Sequence, residues 1–288
     1  MGYLPDPLVD LKIKEYLLED MPFGDLTAAF IPNKDVKGTI INKEQCIIAG
    51  IPFAHRVFQY LGLDTHQYIA EGAKIDANQR IFTVKGNARA VLTGERLALN
   101  FLIRLSGIAT LTHQLIQASS SLPQAPRIAA TRKTTPGFRF FEKYAVTIGG
   151  GDTHRLSLSD GILLKENHLS IFSDLTKAIQ YAKKQVSFTK KIEIEVTTIE
   201  MAVNAAQAGA NIIMLDNFEP SQIRKVVDRL SEMGLRANVC LEASGGITSE
   251  NVIEFASTGV DVLSVGSLTH SAKGIDFSLV FEPFLEKI

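Results

Sequence analysis

The sequence is poor in the features that mark secreted, membrane-bound and polyanion-binding proteins. Only Cys46 and Cys240 are cysteines, far apart and without metal-ligand spacing, which is consistent with a reducing cytosol and gives no support for a disulfide framework or a zinc site. The formal net charge is −1, which argues against a general nucleic-acid-binding or membrane-binding protein and requires any positive field to be local. No apolar run is long enough to span a bilayer, and residues 1–10 lack the basic and apolar regions of a secretion signal. We therefore expect a soluble, cytoplasmic protein.

The phosphate-binding glycine motifs of nucleotide-binding folds are also missing. No GxGxxG follows a predicted strand, and there is no GxxxxGK followed by Ser or Thr. The second half instead carries short apolar runs, mostly separated by helical patterns, which predict parallel βαβ units. The predicted strands are 127–131, 161–165, 192–196, 211–215, 239–242 and 260–265. Without a dinucleotide fingerprint, this alternation favours an α/β barrel over a doubly wound sheet.

The first half has a different pattern. Apolar spacing predicts helices over 8–19 and 52–61, with strands between 36 and 49, a turn at 23–27 and a small α+β unit over 23–87. A long helical pattern over 87–119 ends in a Ser- and Pro-rich stretch, which we interpret as the domain boundary. With 45% hydrophobic residues, the chain can bury a large core.

Basic side chains gather where the predicted barrel strands end, which is where α/β barrels place their chemistry. Between residues 127 and 170 they surround two apolar runs and a triple glycine; they are Arg132, Lys133, Arg139, His154, Arg155, Lys165 and His168. Cations held together are costly unless an anion neutralises them, and arginine suits bidentate binding of carboxylate or phosphate. The pattern predicts a ligand with several negative charges, a phosphorylated sugar or a polycarboxylate.

Carboxylates and glycines follow the remaining strands. Glu195 and Asp216 suit three roles: binding Mg²⁺, holding sugar hydroxyls or stabilising a carbocation. They also suit a structural role as internal partners of Lys165 and the arginines, and the two readings are compatible. Ser244-Gly245-Gly246 and Gly266-Ser267 suit a phosphate site, although a glycine pair after a strand also suits a plain turn. Lys165 is either a Schiff-base nucleophile or a permanent binding charge, and we favour the permanent charge.

Several segments together resemble the quinolinate phosphoribosyltransferase family. They are EDMPFGDLT, GERLALNFL, ATRKTTPGFRFFEKYAV, GGGDTHRLSLSDGILLKENH, EIEV, IMLDN, LEASGGI and the strand end Val265-Gly266. The resemblance covers nearly the whole chain in order. It implies an α/β sandwich domain with a long linking helix over 1–122 and an open α/β barrel of six or seven strands over 123–275. A C-terminal segment over 276–288 is expected to pack back on the first domain.

The resemblance also implies a reaction. Such enzymes transfer the phosphoribosyl group of 5-phosphoribosyl 1-pyrophosphate to quinolinate with Mg²⁺, releasing pyrophosphate and CO₂ and giving nicotinate mononucleotide for NAD synthesis. The implied binding residues for the quinolinate carboxylates are Arg132, His154, Arg155 and Lys165, with Lys133 and Lys165 shared with the phosphoribosyl donor. Glu195 and Asp216 are expected to face the ribose and the metal, and Ser244, Gly245, Gly246 and Gly266 the 5-phosphate. The expected catalytic residues are Lys133, Lys165, Glu195 and Asp216.

The family pattern further implies a homodimer, or a hexamer, in which Arg96 enters the neighbouring active site. One departure is Thr153, where the family usually has asparagine before the His-Arg pair. The alternatives are a molybdenum-transport-associated paralogue with another substrate, a Schiff-base lyase or aldolase using Lys165, and a non-catalytic anion-binding protein. The paralogues tend to lose the lysine that this chain keeps as Lys165, which favours the quinolinate enzyme.

Overall fold

A computed structural model describes residues 5–282 of the chain. Contacts divide these residues into two compact units. Unit 1 comprises the residues up to Leu111, Phe140–Gly150 and those from Ala272 onward, and unit 2 comprises Thr112–Arg139 and Gly151–Ser271. The division differs from the predicted continuous domains, because Phe140–Gly150 lies within the predicted barrel segment but packs in unit 1.

Unit 1 is built on a four-stranded antiparallel sheet with strand order β12-β1-β5-β3. Its strands are β1 Asp35–Asn42, β2 Cys46–Ile47, β3 Asp64–Gln67, β4 Lys74–Ile75, β5 Arg80–Asn87 and β12 Phe277–Phe281, of which β2 and β4 form a separate pair. Its helices are α1 Asp6–Asp20, α2 Leu26–Phe30, α3 Ile51–Tyr60, α4 Ala88–Ser119, which continues into unit 2, and α5 Arg139–Ile148. Strand β12 runs antiparallel to β1, so this part of the C-terminal segment lies in the sheet of unit 1. Residues 283–288 of that segment lie outside the described residues.

Helix α5 explains the difference from the predicted boundary. Its Phe141 is buried and packs edge-on against Phe53 of α3 and Phe101 of α4, with ring centroids 4.9 and 5.1 Å apart. Burial of aromatic rings in this geometry ties α5 to the core of unit 1. The sequence did not predict this helix, nor α2, which begins where a turn was expected. In α2 the Asp25 carboxylate caps the helix by accepting a hydrogen bond from the Ala28 amide at 2.9 Å.

Unit 2 is an open barrel of six parallel strands with order β6-β11-β10-β9-β8-β7, as predicted. The strands are β6 Arg127–Ala129, β7 Ile162–Leu164, β8 Ile192–Val196, β9 Ile212–Asp216, β10 Cys240–Ser244 and β11 Val262–Ser264. Its helices are α6 Glu166–Leu169, α7 Leu175–Gln185, α8 Ile199–Gln207, α9 Pro220–Glu232, α10 Val252–Ala256 and α11 Ser267–His270. Most of the strands are apolar runs because parallel strands are covered on both faces, whereas β8 and β10 carry buried glutamates.

The barrel opens between β6 and β7, which are consecutive in the chain but not paired. A short segment at Asp152 partly fills this gap. The Asp152 amide donates to the Ile128 carbonyl at 2.8 Å, and the Ala130 amide donates to the Asp152 carbonyl at 2.9 Å. His154 and Arg155 follow directly, so the opening carries two of the predicted site residues. Among the described residues, no helix is long and apolar enough to cross a membrane.

Candidate active site

A cavity of about 320 Å³ lies at the carboxyl ends of the barrel strands. It brings together most of the site residues predicted from the sequence, namely Arg132, Lys133, His154, Arg155, Lys165, Glu195, Asp216 and Ser244. These residues come from the ends of β6 to β10 and from the segment that crosses the opening. Their convergence follows from the parallel sheet, which brings the carboxyl ends of all its strands to one edge.

The cationic wall begins just after β6. A turn closed by the Thr134 amide, which donates to the Arg132 carbonyl at 3.0 Å, directs Arg132 and Lys133 away from the strand. The Thr269 hydroxyl donates to the Lys133 carbonyl at 2.7 Å and fixes the backbone there. The Arg132 Nε is buried and has no hydrogen-bond partner. A buried guanidinium donor without a partner is costly, so Arg132 is ready to bind an anion.

The opposite wall carries carboxylates. Lys165 Nζ forms an ion pair with Glu195 Oε2, and Asp216 Oδ2 accepts a hydrogen bond from Asn217 Nδ2 at 2.8 Å. Burial, and then the neighbouring Glu195 carboxylate, raise the pKa of Asp216, although Lys165, Asn217 and Lys133 favour its charged form. The pairing of Lys165 with a carboxylate suits a permanent charge, which is the role favoured from the sequence.

The glycine loops adjoin the cavity through Ser244 and Lys133. Gly245 and Gly246 have φ angles of +102° and +63°, which L side chains rarely adopt. Gly266 packs close to Lys133, whose Cδ is 3.2 Å from the position of a Cβ on that glycine. Gly245, Gly246 and Gly266 are not among the residues that line the cavity; their predicted contact with the 5-phosphate stays a prediction.

His154 does not present a free ring to the cavity. Its backbone has a φ of +51°, its amide donates to Asp152 Oδ1 at 2.7 Å, and its Nδ1 accepts from the Arg155 amide at 2.7 Å. Its Nε2 lies 3.1 Å from Glu242 Oε2 and 3.6 Å from Glu193 Oε1. Both ring nitrogens therefore face protein groups.

The protonation of His154 is set by opposing effects. Burial disfavours the charged ring, but the Glu193 and Glu242 carboxylates beside Nε2 raise the pKa of His154 to about 10. The Arg155 amide opposes protonation, because its N–H faces Nδ1 and an imidazolium has no lone pair there. In either charge state the hydrogen on Nε2 faces the carboxylates.

Three other predicted residues lie elsewhere, among them Arg139, which does not line the cavity. His168 accepts the Lys165 amide hydrogen at 3.0 Å through Nδ1, which caps α6, and it does not line the cavity. Arg96 is exposed on α4 in unit 1, and its entry into a neighbouring site stays a prediction. Sequence reasoning assigned no role to several residues that do line the cavity: Thr131, Leu163, Met214, Glu242 and Ser264. Register supplies a signal for two of them, because Ser264 pairs with Ser244, and Glu242 precedes Ser244 by two positions on the same side of β10.

Models of one protein family match both halves of the chain. The N-terminal domain of quinolinate phosphoribosyl transferase matches residues 25–106, and its C-terminal domain matches residues 108–280. A probable nicotinate-nucleotide pyrophosphorylase (carboxylating) from Archaeoglobus fulgidus is 45% identical over 259 residues, which cover 90% of this chain and 98% of that protein. The human nicotinate-nucleotide pyrophosphorylase (carboxylating) is 36% identical, over 96% of this chain and 92% of its own.

Solved structures agree with these sequence matches. The nicotinate-nucleotide pyrophosphorylase from Francisella tularensis superposes with a TM-score of 0.91 at 39% identity, covering 97% of this chain and 98% of its own. The likeness therefore extends over both units and includes the strands that form the cavity. On this evidence, the chain belongs to the quinolinate phosphoribosyl transferase family.

Proposed function

We propose that the protein transfers the phosphoribosyl group of 5-phosphoribosyl 1-pyrophosphate to quinolinate and decarboxylates the product. The products are nicotinate mononucleotide, pyrophosphate and CO₂. The observation that carries this proposal is the cavity itself, in which a cationic wall faces a carboxylate wall at the carboxyl end of an open barrel. The carboxylating pyrophosphorylases to which the chain is similar support the same activity.

The two walls suit the two halves of the reaction. Arg132 and Arg155 bind the two carboxylates of quinolinate, since a guanidinium forms paired, charge-assisted hydrogen bonds with a carboxylate. Bond breaking at the ribose leaves positive charge on the anomeric carbon, which Glu195 and Asp216 stabilise from the opposite wall. Lys133 and Lys165 neutralise the pyrophosphate that leaves. Little covalent chemistry is needed, because holding the pyridine nitrogen in line with the ribose supplies much of the rate.

The carboxylate wall also fits Mg²⁺. Glu195 and Asp216 provide the oxygen donors that Mg²⁺ prefers, and burial, followed by the neighbouring Glu195 carboxylate, raises the pKa of Asp216. These residues would hold the ion directly or through water. Bound Mg²⁺ supplies positive charge to the pyrophosphate oxygens.

Two further parts of the proposal concern the assembly and its location. The enzyme is a homodimer in which each subunit contributes Arg96 to its neighbour's site, and the exposure of Arg96 on α4 supports this. It acts in the cytoplasm, and the free thiols of Cys46 and Cys240 support a reducing compartment. Sedimentation tests the homodimer. Mixing Arg96→Ala subunits with subunits that carry an inactive site should restore activity, which tests the contribution of Arg96 to the neighbouring site.

The central experiment measures pyrophosphate release and CO₂ release with both substrates and Mg²⁺. Arg132→Ala and Arg155→Ala are each expected to lower kcat/KM for quinolinate by about 100-fold or more, because each removes two charge-assisted hydrogen bonds. Arg229→Ala replaces an exposed arginine on α9 that pairs with Glu232, and this matched control should keep its activity. An inactive wild-type protein would refute the proposal, and a borohydride-trapped adduct on Lys165 would favour a Schiff-base enzyme instead.

A further inference from the structure

Two buried carboxylates lie inside the barrel and have no assigned role. Glu193 on β8 and Glu242 on β10 are 2% and 1% exposed. The Oε1 atom of each is buried without a hydrogen-bond partner. Burying a carboxylate whose hydrogen bonds are incomplete costs on the order of several kcal/mol, so the pair requires a physical explanation.

The side chain that Glu193 and Glu242 share is His154. Its Nε2 is 3.1 Å from Glu242 Oε2 and 3.6 Å from Glu193 Oε1, and its side chain is only 13% exposed. The Arg155 amide hydrogen points at Nδ1, so the neutral ring carries its hydrogen on Nε2, as does the imidazolium. Nε2 is therefore a hydrogen-bond donor to Glu242, and Glu193 lies beside it as a charge at 3.6 Å. This excludes the other use of such a cluster, a metal site, because a metal ligand at Nε2 needs a free lone pair there.

Glu193 and Glu242 hold the His154 ring between them, and we call this arrangement the clamp. The ring belongs to the segment that crosses the barrel opening. At one end of this segment, Asp152 pairs with the backbone of β6 and accepts the His154 amide hydrogen. At the other end, the imidazole reaches carboxylates from β8 and β10. His154 sits at a φ of +51°, a backbone conformation that costs about 1 kcal/mol or more and persists only when its surroundings hold it.

Arg155 follows immediately and enters the cavity beside Arg132 and Lys165. Its backbone amide is the donor to His154 Nδ1, and its Nη1 donates to the Gly161 carbonyl at 3.3 Å. The direction in which Arg155 leaves the chain is thus tied to the orientation of the His154 ring, which the two carboxylates fix.

We propose that Glu193 and Glu242 are positioning residues that act through His154 to aim Arg155 at the dicarboxylate substrate. This rests on the proposed function, and it assigns His154 to the clamp instead of to direct contact with quinolinate. The clamp governs recognition of the pyridine dicarboxylate, and the phosphoribosyl donor, which meets Lys133 and the glycine loops, is expected to be affected far less.

The test separates the two substrates. Glu242→Leu removes the acceptor and should raise KM for quinolinate by about tenfold or more, since displacing an aimed group by an ångström is costly, while KM for the donor stays within about twofold. Glu242→Gln keeps an oxygen that accepts from Nε2 and should retain most of the affinity for quinolinate. If Glu242→Leu fails to fold, His154→Asn takes its place in the test. Asparagine tolerates the positive φ but loses the contact with the carboxylates, so the same rise in KM for quinolinate is expected. Glu232→Leu, on the exposed face of α9, is the matched control.

A double-mutant cycle with Arg155→Ala measures the coupling between Glu242 and Arg155 in the affinity for quinolinate, which a general loss of stability would not change. In the Arg155→Ala background, Glu242→Leu should add little to the loss of quinolinate affinity, because the aimed group is already absent. If the two losses multiply, or if both KM values rise together, the positioning role is wrong. If the wild type does not turn over, the proposed function fails, and calorimetric binding of quinolinate to the same variants still decides the positioning role. Nitrogen NMR of the His154 ring should show a protonated Nε2; an unprotonated Nε2 overturns the clamp.

Discussion

Replacing Gly245 with alanine tests whether the loop after β10 supports the carboxylate wall. Gly245 has a φ of +102°, and a Cβ there would lie 3.0 Å from the backbone nitrogen of Asn217 and closer still to its side-chain amide. Asn217 itself has a φ of +56°; its amide donates to the Ser244 carbonyl and its side chain donates to Asp216, both at 2.8 Å. The methyl group therefore displaces the residue that orients Asp216.

The expected cost has two parts. The left-handed backbone costs alanine about 1–2 kcal/mol, and losing the two Asn217 hydrogen bonds costs about 1 kcal/mol each, so the variant should lose about 3–4 kcal/mol of stability. Gly234→Ala is the control for the first part, because Gly234 has a φ of +68° with nothing within 4 Å of a Cβ. Urea unfolding measures both variants, and steady-state kinetics should show a higher KM for the phosphoribosyl donor in Gly245→Ala alone. Equal stability losses in the two variants, with an unchanged KM, would refute the reasoning.

Three further predictions concern unit 1, the cofactor and pH. In unit 1, Glu142 is fully buried and its Oε1 accepts from Arg104 Nη2 at 2.7 Å, so Glu142→Ala should cost about 3 kcal/mol or more in urea unfolding; a loss below 1 kcal/mol would contradict this. Removing Mg²⁺ with EDTA should abolish pyrophosphate release, and added Mg²⁺ should restore it; unchanged turnover in EDTA would exclude the metal. The pKa of Asp216 is raised, so on acidification turnover should begin to fall at a higher pH than it would with an ordinary aspartate. Asp216→Asn should abolish this acid limb of the pH profile. A limb that persists in the variant belongs to another group.

The barrel was readable from the sequence because its strands are buried on both faces. Strand 192–196 was predicted with the bounds that β8 has, and the other five predicted strands overlap β6, β7, β9, β10 and β11. Helix α5 was not predicted from the sequence, and it carries two fully buried charged residues, Glu142 and Lys143. The opening of the barrel depends on the absence of pairing between β6 and β7, which is a long-range property with no local signal.

Site residues at the carboxyl ends of the strands, which form the mouth of the barrel, were predictable, whereas those one layer deeper were not. Strand β8 shows why. Glu193 and Glu195 point to the same side, and two residues along a strand separate them by about 6.6 Å, which is enough to place them in different layers of the barrel. Glu195 lies at the mouth with Lys165, whereas Glu193 lies deeper with His154. The strand-end rule identifies the mouth layer, because those residues adjoin the loops that carry the chemistry. Alternation gives the direction of the deeper acid but not its partner, since His154 comes from a segment nearly forty positions earlier in the chain. The predicted contact of His154 with quinolinate stays a prediction. The His154 side chain contacts Glu193 and Glu242, which lie in a layer of the barrel that the strand-end rule does not identify.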